Sequence, residues 1–321
     1  MKLTVLSGGV GGARFLRGLR EAAPSGSTIT AIVNVGDDMW LSGVRIAPDL
    51  DSIMYTLAGV NDDERGWGRV GESSRVSDEL TAYGIGWPWF TLGDLDLGTH
   101  LARTSLLRDG LTLSEATERI TSRWDLGVVL LPATNDEVET HVLTDSGSMH
   151  FQEWWTRHRA ALPAVSFDYT SVASATPAPG VLSAIASADV ILIAPSNPVV
   201  SIEPILAIPG IRAALSAASA PIVGLSPIIN GAVVRGMADA CLTAIGVATS
   251  ASAVALHYGA RSAGGLLDAW LVDTSDFERV EPVETAGIRT AAVPLWMSDV
   301  PLSAQIAGDA LALALSRSQQ L

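Results

Sequence analysis

The first sixteen residues constrain the fold more than any other stretch of the chain. Leu3, Val5 and Leu6 read as a short buried strand; Gly8, Gly9, Gly11 and Gly12 follow, and Phe15, Leu16 and Leu19 then recur at helical spacing. Strand, glycine loop and helix in that order place the unpaired N–H groups and positive dipole end of a helix at a strand's carboxyl end, a site for an anion. Glycine lets that backbone approach a phosphate closely, and Arg14 adds a fixed positive charge. Gly9-x-Gly11 begins a dinucleotide fingerprint, but Arg14 stands where its third small residue belongs, and no Gly-Lys-Ser/Thr triplet of a P-loop occurs. The expectation is a phosphate cradle built from Gly8, Gly9, Gly11, Gly12 and Arg14; a tight strand–helix turn without a ligand is the plainer alternative.

A second strand over 28–33 completes a βαβ unit, which requires a parallel sheet. It runs into Asn34-Val35-Gly36-Asp37-Asp38, so both loops should open onto one crevice beyond the strand ends. Strands at 189–194, 222–225, 267–272 and 289–293 alternate with helices, and a closing helix is predicted over 302–317. Between them, helices are predicted at 76–83, 100–107, 114–124 and 151–162, with strands at 128–131 and 139–143, the latter antiparallel or at an edge. The fold class is therefore α/β: a doubly wound, mostly parallel Rossmann-like sheet. Residues 1–321 form a single domain, with an inserted, mainly helical lobe at about 61–162.

Composition narrows the partners. With 321 residues, 48% of them apolar, and a mean hydropathy of +0.33, the chain can bury a large core. A net charge of −14 argues against nucleic acid and anionic membranes, and obliges any anionic substrate to be held by local donors. Cys241 has no second cysteine to pair with and sits in an apolar helical pattern, which fits an inert core position in a reducing compartment. The N-terminal apolar run stops at Ser7, and no 18-residue apolar stretch is free of interruption, so a cytoplasmic protein without a membrane span is expected.

Four carboxylates fall in two pairs, Asp37 with Asp38 and Asp49 with Asp51. Facing each other beside a phosphate loop they suit Mg²⁺, which takes one or two carboxylates and completes its octahedron with phosphate and water. Alternatively, Asp49 or Asp51 caps the helix that carries Ile53, Met54, Leu57 and Ala58. Pro195-Ser196-Asn197-Pro198 with Ser201 forms a third loop at a strand end, either a binding loop stiffened by proline or a capped proline turn. Gly93-Asp94-x-Asp96 with His100 reads as a metal or acid–base set, or as a local pair. Trp87, Trp89 and Phe90 could wall a planar ring or belong to the core. No Gly-x-Ser-x-Gly and no metal-spaced histidine pair occurs, so no covalent nucleophile is expected.

Taken in order, Ser7-Gly8-Gly9-x-Gly11-Gly12, Asn34-x-Gly36-Asp37-Asp38, Pro48-Asp49-Leu50-Asp51, Leu92-Gly93-Asp94-x-Asp96-Leu97-x-x-His100, His150-Phe151-Gln152, Pro195-Ser196-Asn197-Pro198 and Ser226-Pro227-Ile228-Ile229 resemble the 2-phospho-L-lactate transferase family of coenzyme F-420 biosynthesis. Trp67-Gly68 and Gln152-Glu153-Trp154-Trp155 look most like its actinobacterial phosphoenolpyruvate transferase branch. The resemblance implies transfer of a phosphoenolpyruvyl group from enolpyruvyl-diphospho-5'-guanosine to the ribityl hydroxyl of the deazaflavin Fo, giving dehydro coenzyme F-420-0 and GMP with Mg²⁺. A lactyl donor, or a non-catalytic nucleotide-sugar-binding regulator on the same fold, are the alternatives. By position, Asp37, Asp49 and Asp51 fall in the metal region, with Asp51 and Asp37 as catalytic candidates and Asp51 either a base or a ligand. Gly8, Gly9, Gly11, Gly12, Arg14, Asn34, Asp94, His100, Ser196 and Asn197 are the expected substrate-binding residues, the inserted lobe is expected to cover the acceptor, and a homodimer is expected.

Overall fold

The computed structural model describes residues 1–316, so the last residue of the expected closing helix, Arg317, lies outside the described residues. In chain order the strands are β1 (Lys2–Ser7), β2 (Thr28–Val33), the hairpin β3 (Met39–Leu41) and β4 (Val44–Ile46), and β5 (Val129–Pro132). The trio β6 (Glu139–Thr144), β7 (Gly147–His150) and β8 (Ala164–Thr170) follows. The second half carries β9 (Val190–Ile193), β10 (Ile222–Leu225), the short pair β11 (Ile228–Ile229) and β12 (Ala232–Val233), β13 (Ala269–Asp273) and β14 (Arg289–Val293). The helices that shape the site are α1 (Gly9–Ala22), α2 (Pro48–Ala58), α3 (Arg75–Ala82), α4 (Asp94–Arg108) and α5 (Leu113–Thr121).

Seven strands pair in the order β14-β13-β10-β9-β1-β2-β5, every pair parallel. Both faces are covered, as a parallel sheet requires. Alternation along each strand divides the core in two: Leu3 and Val5 join the cluster with Phe15 and Leu16, whereas Leu6 joins Ile191 and Ile193 on the opposite face. On the first face α1 lies between α2 and the last helix, Val300–Leu315. Gly18 is required there, because a Cβ would lie 2.6 Å from that of Ser303.

The stretch 61–162 departs from the helical lobe expected of it. It is helical through α3, α4 and α5, then supplies β5 as the edge of the main sheet, and ends in β6 and β7, antiparallel to each other. Burial of Thr140, Val142 and Thr144 on one face of β6 explains why its alternation was legible. Of the expected helix over 151–162 only the first half forms: Phe151 and Gln152 are helical, a π-helical turn follows at Glu153–Arg157, and Arg159 and Ala160 then take left-handed conformations. No single helix among the described residues is long and apolar enough to cross a membrane.

Candidate active site

Strand order reverses between β1 and β9, so the loops leaving these strands diverge and open a crevice at their carboxyl ends. Two hydrogen bonds join the crevice walls: the Gly8 amide donates to Ser196 Oγ (3.1 Å), which donates to the Gly8 carbonyl (2.7 Å). The glycine loop is shorter than the sequence suggested. Gly9, at φ +63°, already begins α1, and Gly11 and Gly12 lie in its first turn. A Cβ on Gly11 would stand 2.6 Å from the Pro195 carbonyl oxygen, and one on Gly12 would overlap Ser7 Oγ. Those two glycines let α1 pack tightly on the crevice floor. Gly8, Gly9, Gly11 and Arg14 line the cleft and Gly12 does not.

The helix start meets a carboxylate. A Cβ on Gly8 would lie 2.5 Å from Asp49 Oδ2, and the Gly9 backbone amide acts on the same group. Asp49 does not cap its own helix: Ala47 stands at the cap of α2, Pro48 supplies the first helical position, and Asp49 and Asp51 both lie in the first turn. From there Asp49 reaches the buried Asn34, whose Nδ2 donates to Asp49 Oδ2 (2.9 Å), to the Val200 carbonyl (3.1 Å) and weakly to Asp37 Oδ1 (3.4 Å). Asn34 Oδ1 accepts from the Gly36 amide (2.8 Å), which fixes the turn carrying Asp37. Asn34 therefore clamps two acids without itself facing the cleft. Burial pushes Asp49 up to about 6 despite Asn34 and Gly9, and burial with the charges of Asp49 and Asp38 holds Asp37 well above the usual carboxylate range. Asp38, the other half of its expected pair, is fully buried away from the cleft lining. Its nearest cation is Arg45 at 3.9 Å, and burial pushes it up to about 8.

Asp51 has different company. Arg103 grips both of its oxygens, Nη1 to Oδ2 at 3.0 Å and Nη2 to Oδ1. His100 Nδ1 stands 3.4 Å from Asp51 Oδ2, and His100 Nε2 stands 3.3 Å from Asp96 Oδ1, which also accepts from Tyr55 Oη (2.8 Å). Burial alone would raise Asp96, but His100, Tyr55 and Arg103 together hold it below the usual carboxylate range. Asp51, Asp96 and His100 carry ligand-type atoms within 4.8 Å of one another, a set that could hold a metal ion. The expected metal group of Asp37, Asp49 and Asp51 is thus divided: the first two face each other across Asn34, and the third is occupied by an arginine.

Among the expected binding residues, Gly12, Asn34 and Asp94 lie off the cleft lining, and Asp94 is directed to another partner altogether. It accepts from the amide and hydroxyl of Ser73 (2.9 and 2.8 Å) and lies off the cleft. Ser196 and Asn197 line the cleft, yet Asn197 Oδ1 caps the next turn by accepting from Val199 N (2.9 Å), as Ser196 Oγ bolts Gly8. The cleft they share measures ≈ 1060 Å³, above the usual span for one small ligand. Of the expected aromatic wall, Trp89 and Phe90 line it, while Trp87 stacks behind Trp89 at 4.6 Å. Sequence reasoning missed Arg103, Tyr55, Arg235 and Trp296. Asp96, His100 and Arg103 occupy one face of α4, four and three residues apart, a stripe visible once the helix is started at Asp94. Trp296 had no such signal.

Comparison with known proteins accords with this geometry. The family model described as 2-phospho-L-lactate transferase CofD matches residues 3–292. A phosphoenolpyruvate transferase of Streptomyces griseus is 54% identical over 318 residues, covering 98% of both chains. One of Thermobifida fusca is 54% identical over the whole of both chains, and one of Nocardia farcinica is 52% identical, covering 98% of this chain and 95% of that one. A UPF0052-family crystal structure from Bacillus halodurans shares the fold at a TM-score of 0.64 and 19% identity, covering 96% of this chain and 98% of that one. The chain belongs to the 2-phospho-L-lactate transferase family.

Proposed function

We propose that this transferase moves the phosphoenolpyruvyl group of enolpyruvyl-diphospho-5'-guanosine to a ribityl hydroxyl of Fo (7,8-didemethyl-8-hydroxy-5-deazariboflavin), releasing GMP. The observation that carries the reading is the buried pair Asp37 and Asp49, joined by one neutral amide at the glycine turn of a cleft of ≈ 1060 Å³. Burial pushes both acids upward, and the nearby charges of Asp49 and Asp38 push Asp37 further. A hard cation with oxygen ligands offsets both effects, so Asp37 and Asp49 fit Mg²⁺. The Asp51, Asp96 and His100 set, which includes a nitrogen and an arginine-bound carboxylate, fits it less well. Bound at Asp37 and Asp49, Mg²⁺ would neutralise charge on the donor's diphosphate.

Within this reading the chain supplies position and charge. Gly8, Gly9 and Arg14 hold the diphosphate, and Trp89 and Phe90 flank the tricyclic ring. Asp51, oriented by Arg103, accepts the hydrogen bond of the attacking hydroxyl. That oxygen bonds to the outer phosphorus, the bond from phosphorus to the GMP oxygen breaks, and the hydroxyl proton passes to Asp51, with His100 and Asp96 behind it.

The actinobacterial relatives' name favours the enolpyruvyl donor. Mass spectrometry of products made from Fo with enolpyruvyl, lactyl and glyceryl donors tests it. Dehydro-F-420-0 formed fastest from the enolpyruvyl donor is the expected result. Preference for the lactyl donor would reassign the substrate, and nucleotide binding without any product would indicate a non-catalytic regulator. The buried lone Cys241 fits a cytoplasmic setting. A homodimer follows from the resemblance and from the apolar, lightly charged helices at 211–218 and 307–315, the second of which α1 already covers in part; light scattering near 33.4 kDa would contradict it.

A further inference from the structure

We propose that Trp296 is the platform on which the donor's purine base stacks, an inference that rests on the guanylyl donor proposed above. Leu295, Trp296, Met297 and Ser298 all line the cleft, beyond the end of β14, on the opposite side of the crevice from the inserted helices. The segment is built to hold its position. The Leu295 amide donates to Asp273 Oδ2 (2.8 Å) at the end of β13, the Leu295 side chain is buried, and the Ser298 amide closes a tight turn on the Trp296 carbonyl (3.0 Å). Between these anchors the Trp296 side chain is left 56% exposed. Of the other cleft tryptophans, Trp89 stacks on Trp87, the Arg65 guanidinium sits 4.6 Å from the centre of Trp67, and Trp155 is half-buried against the core.

Spacing decides which substrate reaches it. Neighbouring strands are about 4.8 Å apart, so Ser196 beyond β9 and Leu295 over the end of β13 are separated by two strand steps, roughly 10 Å. That is the reach of a nucleoside 5'-monophosphate whose phosphate sits at the Gly8–Ser196 crevice. The acceptor's tricyclic ring belongs to the other wall, with Trp89 and Phe90. An exposed indole, with only two side-chain torsions and on backbone anchored to either side, can take the face of a base with little loss of side-chain freedom.

Equilibrium binding of GDP, inorganic pyrophosphate and Fo to wild type, Trp296→Ala and Trp296→Phe tests the assignment. Wild type should bind GDP; failure there would overturn the guanylyl donor itself, and with it this inference. With GDP bound by wild type, Trp296→Ala should weaken GDP roughly 5- to 150-fold and leave pyrophosphate and Fo within twofold, with Trp296→Phe recovering much of the loss. Equal GDP affinity in wild type and Trp296→Ala, or a loss confined to Fo, would overturn the inference while leaving the donor intact. Parallel loss of pyrophosphate would likewise overturn it, by showing a disturbed crevice rather than a lost base contact.

Discussion

Replacing Arg103 with Met removes the counter-charge of Asp51 while keeping much of the side chain's volume. Arg103 is 2% exposed and Asp51 3%, and the guanidinium also reaches the Arg45 carbonyl (3.3 Å) and His100 Nδ1 (3.3 Å). Breaking a buried ion pair from one side leaves an uncompensated charge and costs about 3–5 kcal/mol. His100 remains beside Asp51, which argues for the lower half of that range. A domain of ordinary stability, about 5–15 kcal/mol, survives such a loss, so urea unfolding of Arg103→Met is expected to be cooperative with a lowered midpoint. Asp51→Asn alone leaves Arg103 without its carboxylate and should also destabilise. The double variant removes both charges, and its loss should fall short of the sum of the singles by about 2 kcal/mol or more. The pair joins α4 to the first turn of α2, and a loss below about 1 kcal/mol in Arg103→Met, or strict additivity in the double variant, would show that this contact does not stabilise the fold.

Other consequences are open to direct measurement. Gly9→Val forces a β-branched residue to φ +63° and should cost roughly 1–3 kcal/mol of strain, with GDP affinity falling more than stability; unchanged GDP affinity in a folded variant would remove the phosphate cradle. Asp51→Asn should lower kcat by about 10²–10⁴-fold, and activity within a few-fold of wild type would leave Asp51 a purely structural role. Without metal, stability should fall as pH rises. Burial lifts Asp49 to about 6 and Asp38 to about 8 from 3.8, so the folded chain keeps protons that the unfolded chain has released, and their contribution is full below 3.8 and lost through 6 and 8. Thermal unfolding of Asp38→Asn against pH should flatten the upper part of that decline, and a wild-type midpoint that stays level from pH 4 to 8 would contradict it.

Much of the fold was legible because local and long-range signals agreed. The strands at 28–33 and 222–225 have the expected ends because apolar runs rich in β-branched residues and bounded by turns leave little choice, and 289–293 follows as the next strand of the alternating pattern. Tertiary contacts override the local pattern elsewhere. The tryptophans at 154 and 155 suggested a helix, but one is packed into the core and the chain turns left-handed at Arg159. In α2, Asp49 and Asp51 looked like caps because acids at a helix start usually are, although Pro48, a residue favoured at the first helical position, points to Ala47 as the cap. At the site, loop membership brought Asp37 and Asp49 together through β2 and α2 as expected. The partner of Asp51 came from 52 residues away on α4, a pairing that spacing cannot encode. The segment at Trp296 reaches the cleft only because β13 and β14 extend the sheet in the same direction as β9.

The central claim is that Asp37 and Asp49 hold the cation that meets the donor's diphosphate at the glycine turn. Anomalous diffraction from crystals grown with Mn²⁺ and GDP tests it most directly. A manganese peak between these two carboxylates, with the diphosphate against Gly8 and Gly9, is the predicted result. A single peak among Asp51, Asp96 and His100, with Arg103 displaced, would contradict it.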